Sequence, residues 1–117
     1  MILLKIDKSL MTGNTTMLVL SLLNSGDKYG YQMIKELELL SDNTFTLNEG
    51  TLYPILHKLE KDGMVKSYTS EADSGKKRKY YQLTKKGKKL LAEKKEEWAL
   101  FTSKVNQIIG GKLNAYI

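Results

Sequence analysis

Residues 47–65 read LNEGTLYPILHKLEKDGMV, and their spacing predicts one helix. Asn48 is a good N-cap, Leu52, Ile55, Leu56 and Leu59 share one side, and Gly63 supplies a stop, so about four turns fit. Pro54 lies inside that pattern, where it lacks the amide that would bond back to Gly50 and its ring crowds the preceding turn. Either the helix bends there or its first turn is irregular. Opposite the apolar side stand Gly50, Pro54, His57 and Lys61, flanked by Thr51, Tyr53 and Lys58.

Upstream, Tyr29, Met33, Ile34, Leu37 and Leu40 recur at helical spacing with Lys35, Glu36 and Glu38 between them, which predicts a second amphipathic helix. Before it, Lys8 to Gly26 carries the apolar run Met17 to Leu23, bounded by Gly13 and by Asn24-Ser25-Gly26. That length suits a buried first helix, with a strand as the rival reading. Downstream of Gly63 the period changes. Met64 to Thr69 and Lys79 to Leu83 predict two strands, with Glu71 to Gly75 as their turn. Thr84 then caps a long helix from Lys85 to about Ile109, stopped by Gly110-Gly111.

A two-stranded hairpin needs a helix layer against its apolar face. The order helix, helix, helix, strand, strand therefore describes one α+β unit, a winged helix-turn-helix followed by a long C-terminal dimerisation helix. The expected division is an N-terminal segment at 1–9, a DNA-binding unit at 10–84, the dimerisation helix at 85–110 and a tail at 111–117. In such a fold the third helix offers its N-terminal part to the major groove, and the hairpin lies along neighbouring backbone or minor groove. Candidate contacts are Asn48, Gly50, Thr51, Tyr53, His57, Lys58 and Lys61. Gly50 lets a backbone approach, Asn48 and Thr51 can donate to bases or phosphate, and the helix N-terminus favours an anion. Glu49 fits first-turn dipole compensation. A helix whose polar side merely meets water is the alternative.

Of 117 residues, 19 are Lys or Arg and 13 Asp or Glu, a formal charge of +6 that favours an anionic partner. Lys76, Lys77, Arg78, Lys79, Lys85, Lys86, Lys88 and Lys89 contribute eight cations with no carboxylate between Ser74 and Ala92. On a wing and the following helix start these groups predict salt-dependent binding to double-stranded DNA. A solvated basic face and an anionic lipid surface are the competing readings. With no cysteine, one histidine, no phosphate loop and no dinucleotide motif, neither an enzyme, a metal site nor a cofactor is expected. No stretch approaches the roughly 20 apolar residues of a membrane span, so the expected location is cytoplasmic.

Along the last helix Leu91, Lys94, Trp98, Phe101, Val105, Ile108 and Ile109 share one side, and from Trp98 onward the spacing is a three-four repeat. This predicts an association seam and a homodimer whose two reading heads match a palindromic operator. The N-terminal residues Ile2, Leu3, Leu4, Ile6 and Leu10, of either chain, are the other candidate cover. Trp98 has two readings: an interface anchor, or, with Phe101 and Thr102, one wall of a slot for a small planar hydrophobic effector.

The segments YGYQMIKEL at 29–37, LNEGTLYPILHKLEKDGMV at 47–65 and GKKRKYYQLTKKG at 75–87 resemble, in that order, the PadR family of bacterial transcriptional regulators. The resemblance covers about residues 10 to 109. It implies a homodimeric winged-helix repressor with Thr51 and Tyr53 in the DNA-reading helix and Lys77, Arg78 and Lys79 in the wing, and it makes Pro54 a usual member of the third helix. A single long helix after the wing resembles the small subgroup of that family. Some of its members answer to drugs, control multidrug efflux genes and hold a tryptophan, matching Trp98, in an apolar slot at the dimer centre. Thr102, one turn later, departs from the acidic residue that favours cationic compounds. Phenolic-acid response and ligand-independent repression stay open, as do a sequence-independent architectural binder and a helical adaptor without DNA function.

Overall fold

The computed structural model describes residues 6–71 and 75–110. Four helices and three strands follow in the order α1 (Lys8–Asn24), β1 (Lys28–Tyr29), α2 (Gly30–Leu40), α3 (Glu49–Lys61), β2 (Val65–Glu71), β3 (Lys77–Leu83) and α4 (Lys85–Ile109). The α+β winged-helix reading therefore holds, with one strand more than the sequence suggested. The turn expected at Glu71 to Gly75 falls partly, and Ile2 to Leu4, Gly111 and the tail fall wholly, outside the described residues.

The run Met17 to Leu23 is helix, not strand. Asp7 caps α1 by accepting from the Ser9 amide at 2.8 Å, and Thr15, Val19, Leu20, Leu22 and Leu23 are buried at three- and four-residue spacing. Its Thr15 hydroxyl, taken out of water, donates to the Met11 carbonyl at 2.7 Å, which removes the penalty of burying it unpaired. In α2, Met33, Ile34 and Leu37 face the core. Tyr29 belongs instead to β1, and Leu40 is 70% exposed, so the predicted apolar face is shorter at both ends.

Asn48 caps α3, which runs unbroken through Pro54 and buries Leu52, Leu56 and Leu59. Both Gly50, whose carbonyl loses a donor to the proline, and Pro54 itself are solvent-facing, so the lost bond is not a buried one. The helix ends with the Met64 amide reaching back to the Leu59 carbonyl at 2.8 Å, a closed C-terminus that turns the chain into β2.

The sheet is antiparallel in the order β1-β3-β2. Val65 pairs with Leu83 and Ser67 with Tyr81, while Lys28 on β1 meets Tyr81 from the other side. Partners directly opposite share a face, so Val65, Tyr81 and Leu83 are the inner side chains and complete the core against the helices. Lys28 lies on that inner side as well. It is 7% exposed and ion-paired at 3.3 Å with the half-buried Glu36 of α2, a pair that nothing in the sequence pattern announced.

Candidate nucleic-acid interface

The exposed side of α3 is built as predicted from its sequence, but its members differ in what they have free. The Asn48 side-chain oxygen accepts from the Thr51 amide at 2.9 Å, so the cap uses its acceptor and leaves the Nδ2 donors. Gly50, Thr51, His57, Lys58 and Lys61 are exposed. Lys58 pairs with Asp62 at 3.3 Å, one turn toward the helix end, and both partners are open to solvent, where such a pair contributes little. Tyr53 is only half exposed. Its ring fills the place a side chain would take at Gly30, where a β-carbon would collide with the Tyr53 hydroxyl, so this tyrosine joins α3 to the first residue of α2.

The wing separates what the sequence runs together. In β3 the side chains of Lys77 and Lys79 share the inner face with Tyr81, whereas Arg78 shares the outer face with Tyr80 and Gln82. On the inner face the Lys79 ammonium lies 5.6 Å from the Tyr81 ring centre, Ser67 donates to Glu60 of α3, and burial pushes the Tyr81 phenol above its ordinary value. Glu71 stands opposite Lys77 in the ladder, a carboxylate in space where the sequence showed none nearby.

The outer face is aromatic. Arg78 lies over Tyr29 at 4.4 Å from the ring centre. Tyr29 meets Tyr80 edge-on at 5.5 Å, and Tyr80 stacks on Tyr68 at 5.7 Å with 12° between planes. The Tyr68 hydroxyl donates to Asp27 at 2.6 Å and Gln82 donates to the same oxygen at 3.2 Å. That bond to Asp27 raises the Tyr68 phenol. Arg78, expected among the DNA contacts, is thus engaged with a ring on the face away from Lys77 and Lys79.

The cations at the start of α4 divide too. Thr84 caps the helix by accepting from the Gly87 amide at 3.0 Å and donates to the Gly63 carbonyl at 2.7 Å. A β-carbon at Gly87 would strike the Met64 carbonyl, so only glycine lets α4 close on the wing base. Lys86 donates to the Asp62 carbonyl at 3.0 Å and thereby completes the end of α3, while Lys76, Lys85, Lys88 and Lys89 face solvent.

Farther along α4, Leu91 is 3% exposed and packs in the core of its own chain. The sequence places Leu91 on the dimer seam; in the single chain its side chain is already covered by its own core. Beyond it Trp98 is 38% and Ile108 84% exposed, with Phe101 and Ile109 also open and Val105 and Thr102 half-buried. Trp98 and Phe101 stack at 6.2 Å, and Thr102 donates to the Trp98 carbonyl at 2.9 Å. Trp98 borders two cavities of about 320 Å³ each against α1, one lined also by Leu10, Met17, Glu97 and Phe101, the other by Ile6, Met11, Leu18 and Phe45. Glu97, with Lys94 beside it, lies off the apolar stripe in sequence, and only the packing of α4 on α1 brings it to the cavity. The radius of gyration is 17.1 Å, against about 13 Å for a compact chain of this length, as a projecting helix requires.

Among the described residues no group of three or more His, Asp or Glu is placed to hold a metal ion, and no helix is long and apolar enough to cross a membrane. Comparison with known proteins agrees with the winged-helix geometry. The family model described as the transcriptional regulator PadR-like family matches residues 19–93. An uncharacterised protein of Lysinibacillus sphaericus is 37% identical over 87 residues, covering 74% of this chain and 80% of that protein. A transcriptional regulator from Clostridium thermocellum superposes with a TM-score of 0.80 at 35% identity, over 87% of this chain and 99% of its own. A PadR family transcription regulator from Clostridium difficile gives 0.73 at 38% identity, over 84% of this chain and all 100% of its own.

Proposed function

The chain belongs to the PadR-like family of transcriptional regulators, and from that premise we propose that it is a homodimeric repressor of a transporter or stress-response gene, acting in the cytoplasm on a palindromic operator. The unit at 10–84 reads DNA and the helix at 85–110 joins two copies. The two α3 helices enter successive major grooves, and Asn48, Gly50, Thr51, His57, Lys58 and Lys61 supply groove and phosphate contacts. Tyr53 shares its ring between that surface and α2. Lys76, Lys77 and Lys79 follow the flanking backbone. The observation that carries this reading is the exposed, polar and cationic side of α3 standing beside a wing whose Lys77 and Lys79 lie on the α3 side of the sheet.

Trp98, Phe101 and Thr102 are the proposed effector wall. The cavities on either side of Trp98 match the small end of ligand pockets. Lys94 and Glu97 at the rim offset each other in charge, which favours a planar hydrophobic compound held by ring faces. Such a compound releases DNA only to the extent that it prefers a spacing of the reading heads that DNA does not.

The test is binding to the DNA upstream of the chain's own gene, measured between roughly 50 and 200 mM salt with non-specific competitor. Neutralising Lys77 and Lys79 together, four cations in the homodimer, is expected to lower the salt slope by about 3.6, at about 0.9 per phosphate contact. Equal displacement by competitor, with an unchanged slope, would overturn the reading in favour of an architectural or non-DNA role.

A further inference from the structure

β1 is two residues long, and the residue after Tyr29 is already the first of α2. The position of α2 on the wing therefore depends on how firmly Tyr29 is held against β3. Its backbone pairs with Tyr80, and its ring is covered by the Arg78 guanidinium at 4.4 Å and braced edge-on by Tyr80 at 5.5 Å. Arg78 Nε is buried and has no hydrogen-bond partner among the described residues, so its placement follows from stacking on the ring. On the far side of Tyr29, Gly30 receives the Tyr53 ring of α3. An unbroken line of contact thus runs from the wing through Tyr29 and Gly30 to the reading helix.

We infer that Arg78 is a positioning residue, a clamp that closes on Tyr29 to fix the wing relative to the α2–α3 pair, and that it contacts no phosphate. This deepens the DNA-binding proposal and rests on it. The inference separates three adjacent cations by role: Lys77 and Lys79, one face over, meet the polyanion, while Arg78 sets the angle at which they do so. It also gives one physical reason for the three sequence segments to occur together, since each contributes one member: Tyr29-Gly30, Tyr53 and Arg78. A planar guanidinium stacks on a ring and an ammonium does not do so equivalently, so lysine is a poor substitute here although it keeps the charge.

Two measurements on the full chain test this. Hydrogen exchange of free Arg78→Gln and Arg78→Lys is expected to show faster exchange at residues 28–31, with α1 and the β2–β3 ladder still protected. Tyr29→Phe keeps the ring and is expected to match the parent chain. In operator binding both Arg78 variants are expected to lose about two- to thirtyfold in affinity, the span of a cation–π contact, with the salt slope unchanged. If Arg78→Lys exchanges and binds like the parent while Arg78→Gln lowers the salt slope by about 1.8, one contact from each copy, Arg78 is a phosphate ligand and the clamp is overturned. Exchange at 28–31 that stays unchanged in both Arg78 variants also overturns it. The exchange arm needs no DNA, so failure of the parent chain to bind its upstream DNA would sink the DNA reading and leave the clamp to be judged by exchange alone.

Discussion

From Thr84 to Leu91 the last helix is built into the domain: Gly87 presses on the Met64 carbonyl and Leu91 is 3% exposed. From Trp98 to Ile109 the same helix bears the same kind of apolar stripe, yet Ile108 is 84% exposed. Nothing in the spacing distinguishes the two stretches. The difference lies in the neighbour, since the first two turns have α1, the wing base and β3 beside them and the last three have only the first turns of α1 and open solvent. An amphipathic stripe therefore says that a cover exists and is silent on whether that cover is the same molecule.

The contrast breaks most visibly through the open half. Ile108→Glu with Ile109→Glu is expected to give a folded monomer by sedimentation, with operator affinity lower by about 10²- to 10⁴-fold, since two linked reading heads bind through effective concentration. A dimer that persists would move the seam elsewhere. In the closed half, Leu91→Ala is expected to lower unfolding free energy by about 2–5 kcal/mol in denaturant titrations at fixed protein concentration, the penalty of a cavity in a core. A midpoint equal to the parent's would return Leu91 to the intermolecular stripe.

A smaller effect sharpens the contrast through pH. Burial raises the Tyr81 phenol in the folded chain, so its contribution to stability is complete below the unfolded value near 10 and is lost as pH climbs through the higher folded value. Stability is expected to decline above about pH 10, and Tyr81→Phe to make that decline shallower in urea melts taken from pH 8 to 11. The stretch 98–109 has no tyrosine, so the alkaline response reports the closed region alone. An identical decline in the variant would assign it to another group.

The architecture was largely legible because its main elements carry periodicity over many residues: α3 with its Asn48 cap, α2 through Met33, Ile34 and Leu37, and α4 from its Thr84 cap. β1 was not, since two residues have no period and Lys28-Tyr29 is a strand only because β3 pairs with it. The same pairing hides the Lys28–Glu36 ion pair, whose members read as ordinary polar positions. The reading side of α3 was legible as a surface. That Tyr53 turns inward to Gly30, and that Arg78 faces away from Lys77 and Lys79, follows from packing and from strand alternation once the register is known. The basic run was visible as charge, but the use of Lys86 to finish α3 depends on a carbonyl brought close by the fold.

The burial of Leu91 also orders events during synthesis. The core needs its side chain, so the reading unit closes only after the ribosome has delivered that residue, and the exposed residues up to Ile109 follow it. Closure of the reading unit is thereby tied to the same helix that carries the outer stripe, and a chain interrupted before Leu91 would lack both.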